Sequence, residues 1–210
     1  MRKIINLNNK IYVPCKNNKA YSPNGVSNLF KQAEKENNGN LEAVFRNKNK
    51  YKDLIEMYHG SFLALALYKN FGSQFKFNIC SSEKDPPDLY FIHKKSGDAF
   101  SVEVMELYKY KDNFKTYKSL VEHIWEKKGI ARYDRTYLLL ASRLSANKFN
   151  ITKFVQEFKR FKWDFQRIYL SLYTSEKKQW TFFEVFLAPN QYSDSNYMYF
   201  NLKKDKEFWY

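Results

Sequence analysis

Glycine and proline are scarce, at 6 and 5 among 210 residues, which excludes a collagen-like repeat and a linker-dominated chain. The three histidines, His59, His93 and His123, lie far apart with no HxxxH or Cys/His spacing, so a zinc motif is not expected. Cys15 and Cys80 are too few for a disulfide framework. The start Met1-Arg2-Lys3 leads into Asn-rich polar sequence rather than an apolar signal core, and the expected compartment is the reducing cytoplasm. No apolar run approaches the roughly 20 residues of a membrane span. The longest, Ser61–Tyr68 and Tyr137–Ala141, have ordinary core lengths, so no membrane partner is expected. There is no Gly-rich phosphate loop, and His59-Gly60-Ser61 sits inside a helical pattern, not the strand-to-turn setting of a serine nucleophile.

What the chain has in quantity is rings and positive charge. Aromatic residues make up 19% and hydrophobic residues 44%, enough to exclude general disorder and to fill the core of a medium-sized globular domain. The formal net charge is +14, which invites a polyanion partner through counterion release and steering. The abundance of Lys, Asn, Ile, Tyr and Phe together is also what an AT-rich genome imposes, so charge alone does not define a function. Its distribution is uneven. The first fifty residues hold ten Lys/Arg against Glu34, Glu36 and Glu42, and read as a basic N-terminal extension (1–50) before the main domain (51–210).

Turn signals at Ser22-Pro23-Asn24-Gly25 and Asn37-Asn38-Gly39-Asn40 bracket a helix over 26–36. Leu54, Ile55, Tyr58, Phe62, Leu65 and Ala66 recur at helical spacing until Phe71-Gly72, predicting a buried helix. Strands are expected at Phe75–Cys80, then at Asp88–His93 and Ala99–Leu107 as a hairpin around Lys94-Lys95-Ser96-Gly97-Asp98. A helix over Lys115–Lys127, a strand over Thr136–Ser142, a helix over 151–162 and strands over Arg167–Tyr173 and Trp180–Leu187 complete the series. The order predicts an α/β fold with a mixed central β-sheet flanked by helices.

Chemistry concentrates on the hairpin. If Lys94 pairs with Ala99, Asp88 lies opposite Met105 and Tyr90 opposite Glu103. Alternation then puts Asp88, Glu103 and Met105 on one face. Glu103 inside Phe100-Ser101-Val102-Glu103-Val104-Met105 is costly to bury as a charge without compensation, and a divalent cation would supply it. Alternatively, Asp88 merely follows a Pro-Pro turn and Glu103 pairs with a lysine across the strands. Glu56 reads either as an accessory acid or as a helix acid paired with Lys52.

Pro87-Asp88, then Glu103-Val104-Met105 after fourteen intervening residues, with a preceding helix carrying Glu56, resembles the PD-(D/E)XK nuclease superfamily over roughly Tyr51 to Leu187. The resemblance implies a restriction-endonuclease-like fold and a Mg²⁺-dependent nuclease, with Mn²⁺ as an alternative ion, hydrolysing phosphodiester bonds of DNA. It implies Asp88 and Glu103 as metal ligands, the carbonyl of Val104 as a third, and Glu56 as the accessory acid. It also brings restriction or defence biology and a homodimer that cuts two strands as analogies. The position of the signature lysine is Met105, whose thioether can neither position water nor offset phosphate charge. Lys109, Lys111 or Lys115 could reach in from beyond the strand, Lys109 taking the catalytic role.

Tyr108-Lys109-Tyr110-Lys111, with Phe114, Lys115, Tyr117 and Lys118, interleaves cations and rings as a nucleic-acid surface would. The same pattern fits a strand end and an amphipathic helix. Arg132 and Arg135 could clamp a phosphate. Two other readings stay open: a catalytically inactive nucleic-acid-binding protein of the same fold, suggested by Met105, and a protein-interaction module whose basicity reflects codon bias.

Overall fold

In the computed structural model the described residues are 6–7, 10–11, 13–107, 116–129, 136–145 and 149–210. The expected Lys109, Lys111, Lys115, Arg132 and Arg135 lie outside them. The fold is α/β. Its sheet has eight strands in the order β10-β8-β7-β6-β5-β4-β3, with β9 paired to β8. These are β3 (Phe77–Ser81), β4 (Leu89–His93), β5 (Ala99–Glu106), β6 (Thr136–Ser145), β7 (Arg167–Thr174), β8 (Gln179–Leu187), β9 (Gln191–Tyr192) and β10 (Tyr197–Asn201). β6 and β7 are parallel, while β3/β4, β4/β5, β7/β8, β8/β9 and β8/β10 are antiparallel, so the sheet is mixed as expected. A separate two-stranded ribbon pairs β1 (Asn6–Leu7) with β2 (Lys10–Ile11). The chain divides into two compact units, Met1–Val102 with Asp205–Tyr210, and Glu103–Lys204. No helix among the described residues is long and apolar enough to cross a membrane.

The first unit is built on three helices, α1 (Pro23–Glu36), α2 (Leu41–Arg46) and α3 (Lys48–Phe71). The asparagine-rich sequence has a structural use here: Ser22, Asn40 and Asn47 each accept a backbone N–H from the first turn of the following helix, satisfying donors that have no partner inside it. Val26, Phe30 and Ala33 line one face of α1, and Phe30, Val44 and Phe45 form a core with Tyr51 and Ile55 of α3. From Phe62 to Leu67 every side chain of α3 is buried, the signature of a helix enclosed on all sides.

Gly60 marks where α3 meets the sheet. A Cβ there would stand 2.9 Å from Leu89 Cδ1 and 3.2 Å from Phe91 Cε1. Gly60→Ala is therefore expected to cost about 1–3 kcal/mol through overpacking, read as a lower urea midpoint with an unchanged m-value.

β3 is the terminal strand of the sheet, and residues 14–21 run along its edge. Tyr21 exchanges backbone hydrogen bonds with Ile79, Cys15 bridges to Ser82, and the Glu83 N–H donates to the Pro14 carbonyl at 3.0 Å. Covering an edge in this way removes a template for unwanted pairing. Cys15 and Cys80, too few for a framework, are joined here in one disulfide. Bridging residues 65 apart stabilises a fold by about 2–4 kcal/mol, chiefly by restricting the unfolded chain. The C-terminal residues return to the same unit, where Lys69 pairs with Asp205 at 2.7 Å. The Tyr210 hydroxyl donates to the Phe77 carbonyl, and burial pushes its pKa up to about 12.

In the second unit, α4 (Tyr117–Ile124) and α5 (Ile151–Phe158) pack with the sheet strands. Leu120, Val121, Phe154 and Phe158 join Leu138, Leu140, Ile168 and Leu170 in one core. Thr116 and Asn150 cap the two helices. α4 runs straight into a π-helical turn at Trp125–Gly129, a local widening of the helix often found at functional positions.

Candidate metal centre

The β4–β5 ladder sets the geometry of the site. Leu89 pairs with Val102, Tyr90 with Ser101, Phe91 with Phe100 and Ile92 with Ala99. The expected register, Lys94 with Ala99, is thus wrong by two residues. The His93 N–H donates to the Asp98 carbonyl at 2.7 Å, and Gly97 adopts φ +78° between them, so the turn consumes the whole of Lys94–Asp98. An even slip leaves every side chain on its expected face. It also brings Asp88, the residue before Leu89, directly opposite Glu103, the residue after Val102.

Asp88 ends the turn Ser82–Pro87, in which Asp85-Pro86 and Pro86-Pro87 are both cis. Its carbonyl accepts the Ser82 N–H at 2.9 Å. Asp85, Asp88 and Glu103 each offer a carboxylate oxygen within 4.8 Å of the others. Asp85 is exposed, Asp88 nearly buried and Glu103 fully so. Asp85 was not anticipated as part of the cluster, although it stands three residues before Asp88 in the same turn.

Glu56 on α3 adjoins Asp88, and Lys52, one helical turn earlier, lies among Glu56, Asp85 and Asp88. The Lys52 Nζ is 3.4 Å from Asp85 Oδ2, 3.7 Å from Asp88 Oδ1 and 3.7 Å from Glu56 Oε1. Desolvation works against the Lys52 ammonium, but Glu56, Asp88 and Asp85 outweigh it and hold its pKa above the usual range. For Glu56 the balance is reversed. Burial, then the charge of Asp88, push its carboxyl up to about 8 despite Lys52. The pairing of Glu56 with Lys52 is thus present, and Glu56 also adjoins Asp88.

Glu103 is compensated by the protein. Lys128 donates from the π-helical turn to Glu103 Oε2, so the lysine partner comes from a helix and not from a neighbouring strand. Gly129 permits this turn: a Cβ there would fall 2.2 Å from Trp125 Cδ1. Met105 lies two residues along β5 in the core formed by Leu107, Leu120 and Val121. An ammonium at that position would have to be desolvated among aliphatic side chains, which gives the Met105 thioether a packing reason. Val104 follows Glu103 with its side chain buried. Neither Lys52 nor Lys128 was singled out as a site residue from the sequence. Lys52 had a signal, its i,i+4 spacing to Glu56. Lys128 had none, since it meets Glu103 only after α4 and its π-helical turn have formed.

The donor set is chemically suited to a hard divalent cation: carboxylate oxygens only, converging from a turn and a strand, with the nearby ammonium already showing where positive charge is favoured. No family model, curated protein or solved structure matches the chain. The functional reading therefore rests on the residues themselves.

Proposed function

We propose that the chain is a divalent-metal-dependent nuclease of the PD-(D/E)XK type, acting on DNA, with Mg²⁺ or Mn²⁺ held by Asp88 and Glu103. The observation that carries this reading is the convergence of Asp85, Asp88 and Glu103 within 4.8 Å in a chain of net charge +14. A small acidic pocket binds the cation, and the surrounding positive charge attracts the polyanion.

In this reading Asp88 holds the ion from the turn before β4 and Glu103 from β5, and the Val104 carbonyl is the proposed third ligand. Asp85 is placed to join them. Bound there, the cation supplies a water of lowered pKa and charge stabilisation at the phosphate. Glu56 lies beside Asp88 as a proton-holding group, and Lys128 fixes the orientation of Glu103. The restriction-endonuclease-like assignment, a homodimer addressing two strands, a role in restriction or defence, and a cytoplasmic location belong to the same proposal.

A second reading has its own observation. Met105 occupies the signature-lysine position inside an apolar core, which favours a non-cleaving nucleic-acid-binding protein of the same fold. An assay of single- and double-stranded DNA and RNA with Mg²⁺ or Mn²⁺ separates the two. The nuclease reading expects metal-dependent cleavage that falls about a hundredfold or more in Asp88→Asn, with the circular dichroism spectrum retained. Salt-sensitive binding without cleavage would replace it with the second reading.

A further inference from the structure

Resting on the metal-site reading, one further assignment concerns Lys52. Its ammonium stands among Asp85, Asp88 and Glu56 at 3.4–3.7 Å, a distance at which charge attraction is strong but hydrogen-bond geometry is loose. Two of the three acids, Asp85 and Asp88, belong to the cluster able to hold a metal ion. A divalent cation held by the Asp85 and Asp88 carboxylates would stand close to this ammonium, where the two positive charges repel and compete for the same two acids.

We propose that Lys52 is a built-in counter-cation of the metal-free site, which a divalent ion must displace in order to bind. Its position suits an exchangeable occupant. Lys52 is anchored on α3, one turn from Glu56, so its backbone stays in place while the side chain moves. That side chain is 52% exposed, so the ammonium can swing into water without crossing protein. Lys128 differs in this respect: its side chain is only 20% exposed and it pairs with an acid that has no exposure. Lys128 therefore stays with Glu103, and Lys52 is the cation that leaves. The device keeps Asp85 and Asp88 from repelling one another and springing the turn open before metal arrives. It also sets a threshold of metal concentration below which the site stays closed by its own lysine.

The test is Mn²⁺ binding to the full chain, followed by the electron paramagnetic resonance signal of free Mn²⁺ and by the Mn²⁺-induced rise in melting temperature. Wild type is compared with Lys52→Met, Lys52→Gln and Asp88→Asn. Removing the competing cation is expected to tighten Mn²⁺ binding about tenfold in both Lys52 variants. They should be less stable than wild type without metal and show a larger rise in melting temperature with it. Mn²⁺ binding by the Lys52 variants but not by wild type would support displacement in its strongest form. Equal or weaker binding in both folded Lys52 variants, with binding lost in Asp88→Asn, would overturn the displacement and leave the metal site standing. No Mn²⁺ binding by wild type or by either Lys52 variant would overturn the metal reading, and the inference with it.

Discussion

Glu103→Ala is expected to lower stability by about 3–5 kcal/mol, because it strands a lysine in the interior. Glu103 has no solvent exposure, and Lys128, its ion-pair partner, is mostly covered. Deleting the carboxylate removes the negative charge paired with this mostly covered ammonium. Lys128→Met should be costly for the reciprocal reason. The double variant Glu103→Leu with Lys128→Met removes both charges and should recover most of the loss, since a buried ion pair is often replaceable by apolar side chains of similar volume. Urea denaturation of wild type, Glu103→Leu, Lys128→Met and the double variant measures this coupling. The double variant also separates structure from chemistry: it should fold well and still fail to cleave nucleic acid. Full activity in it would remove Glu103 from the proposed mechanism.

The second large effect is a pH dependence of stability carried by Glu56. In the folded protein its carboxyl titrates near 8, against an ordinary value of 4.5, because burial and then Asp88 disfavour the anion. Between those two values the folded state holds a proton that the unfolded chain has released. Stability then falls as pH rises. The contribution is complete below about 4.5, declines through the intervening range, and is gone above about 8. In buffer containing a chelator, wild type is expected to lose roughly 3–5 kcal/mol from this group across that window. Glu56→Gln, which keeps the shape and cannot ionise, should lose this part of the dependence and become more stable than wild type near pH 8. Parallel pH profiles for the two proteins would mean that Glu56 is as well solvated as an ordinary surface acid.

Much of the fold was legible because its elements are long and locally patterned. α3 declares itself through apolar residues at helical spacing, and β5 and β7 through β-branched and aromatic runs. α2 escaped notice because six residues, Leu41–Arg46, are too few to show a period. β10 escaped because Asn196-Tyr197-Met198-Tyr199-Phe200-Asn201 sits among polar turn residues, and its assignment depends on pairing with β8. The boundary of the helix expected over 151–162 also moved: α5 stops at Phe158, where Trp163 stacks on Phe158 with ring centroids 4.0 Å apart.

For the candidate site, the face shared by Asp88 and Glu103 was readable from alternation. Alternation is indifferent to an even slip, so the register was not. Which residue lies directly opposite depends on how many residues the turn takes up, and the turn at Lys94–Asp98 is longer than a minimal hairpin loop. The charges around the acids were harder still. Lys128 becomes a site residue only through tertiary contact, and 36 lysines and arginines give no sign of which ones turn inward. The Cys15–Cys80 bond had no local signal either, as it depends on residues 14–21 lying along the edge of β3.

The most direct measurement is anomalous diffraction at the manganese edge from crystals of the protein soaked in Mn²⁺. The account predicts a peak among the carboxylates of Asp85, Asp88 and Glu103, with the Lys52 ammonium turned away from Asp88. A map with no peak at the hairpin, and Lys52 still seated among Asp85, Asp88 and Glu56 at saturating Mn²⁺, would contradict it.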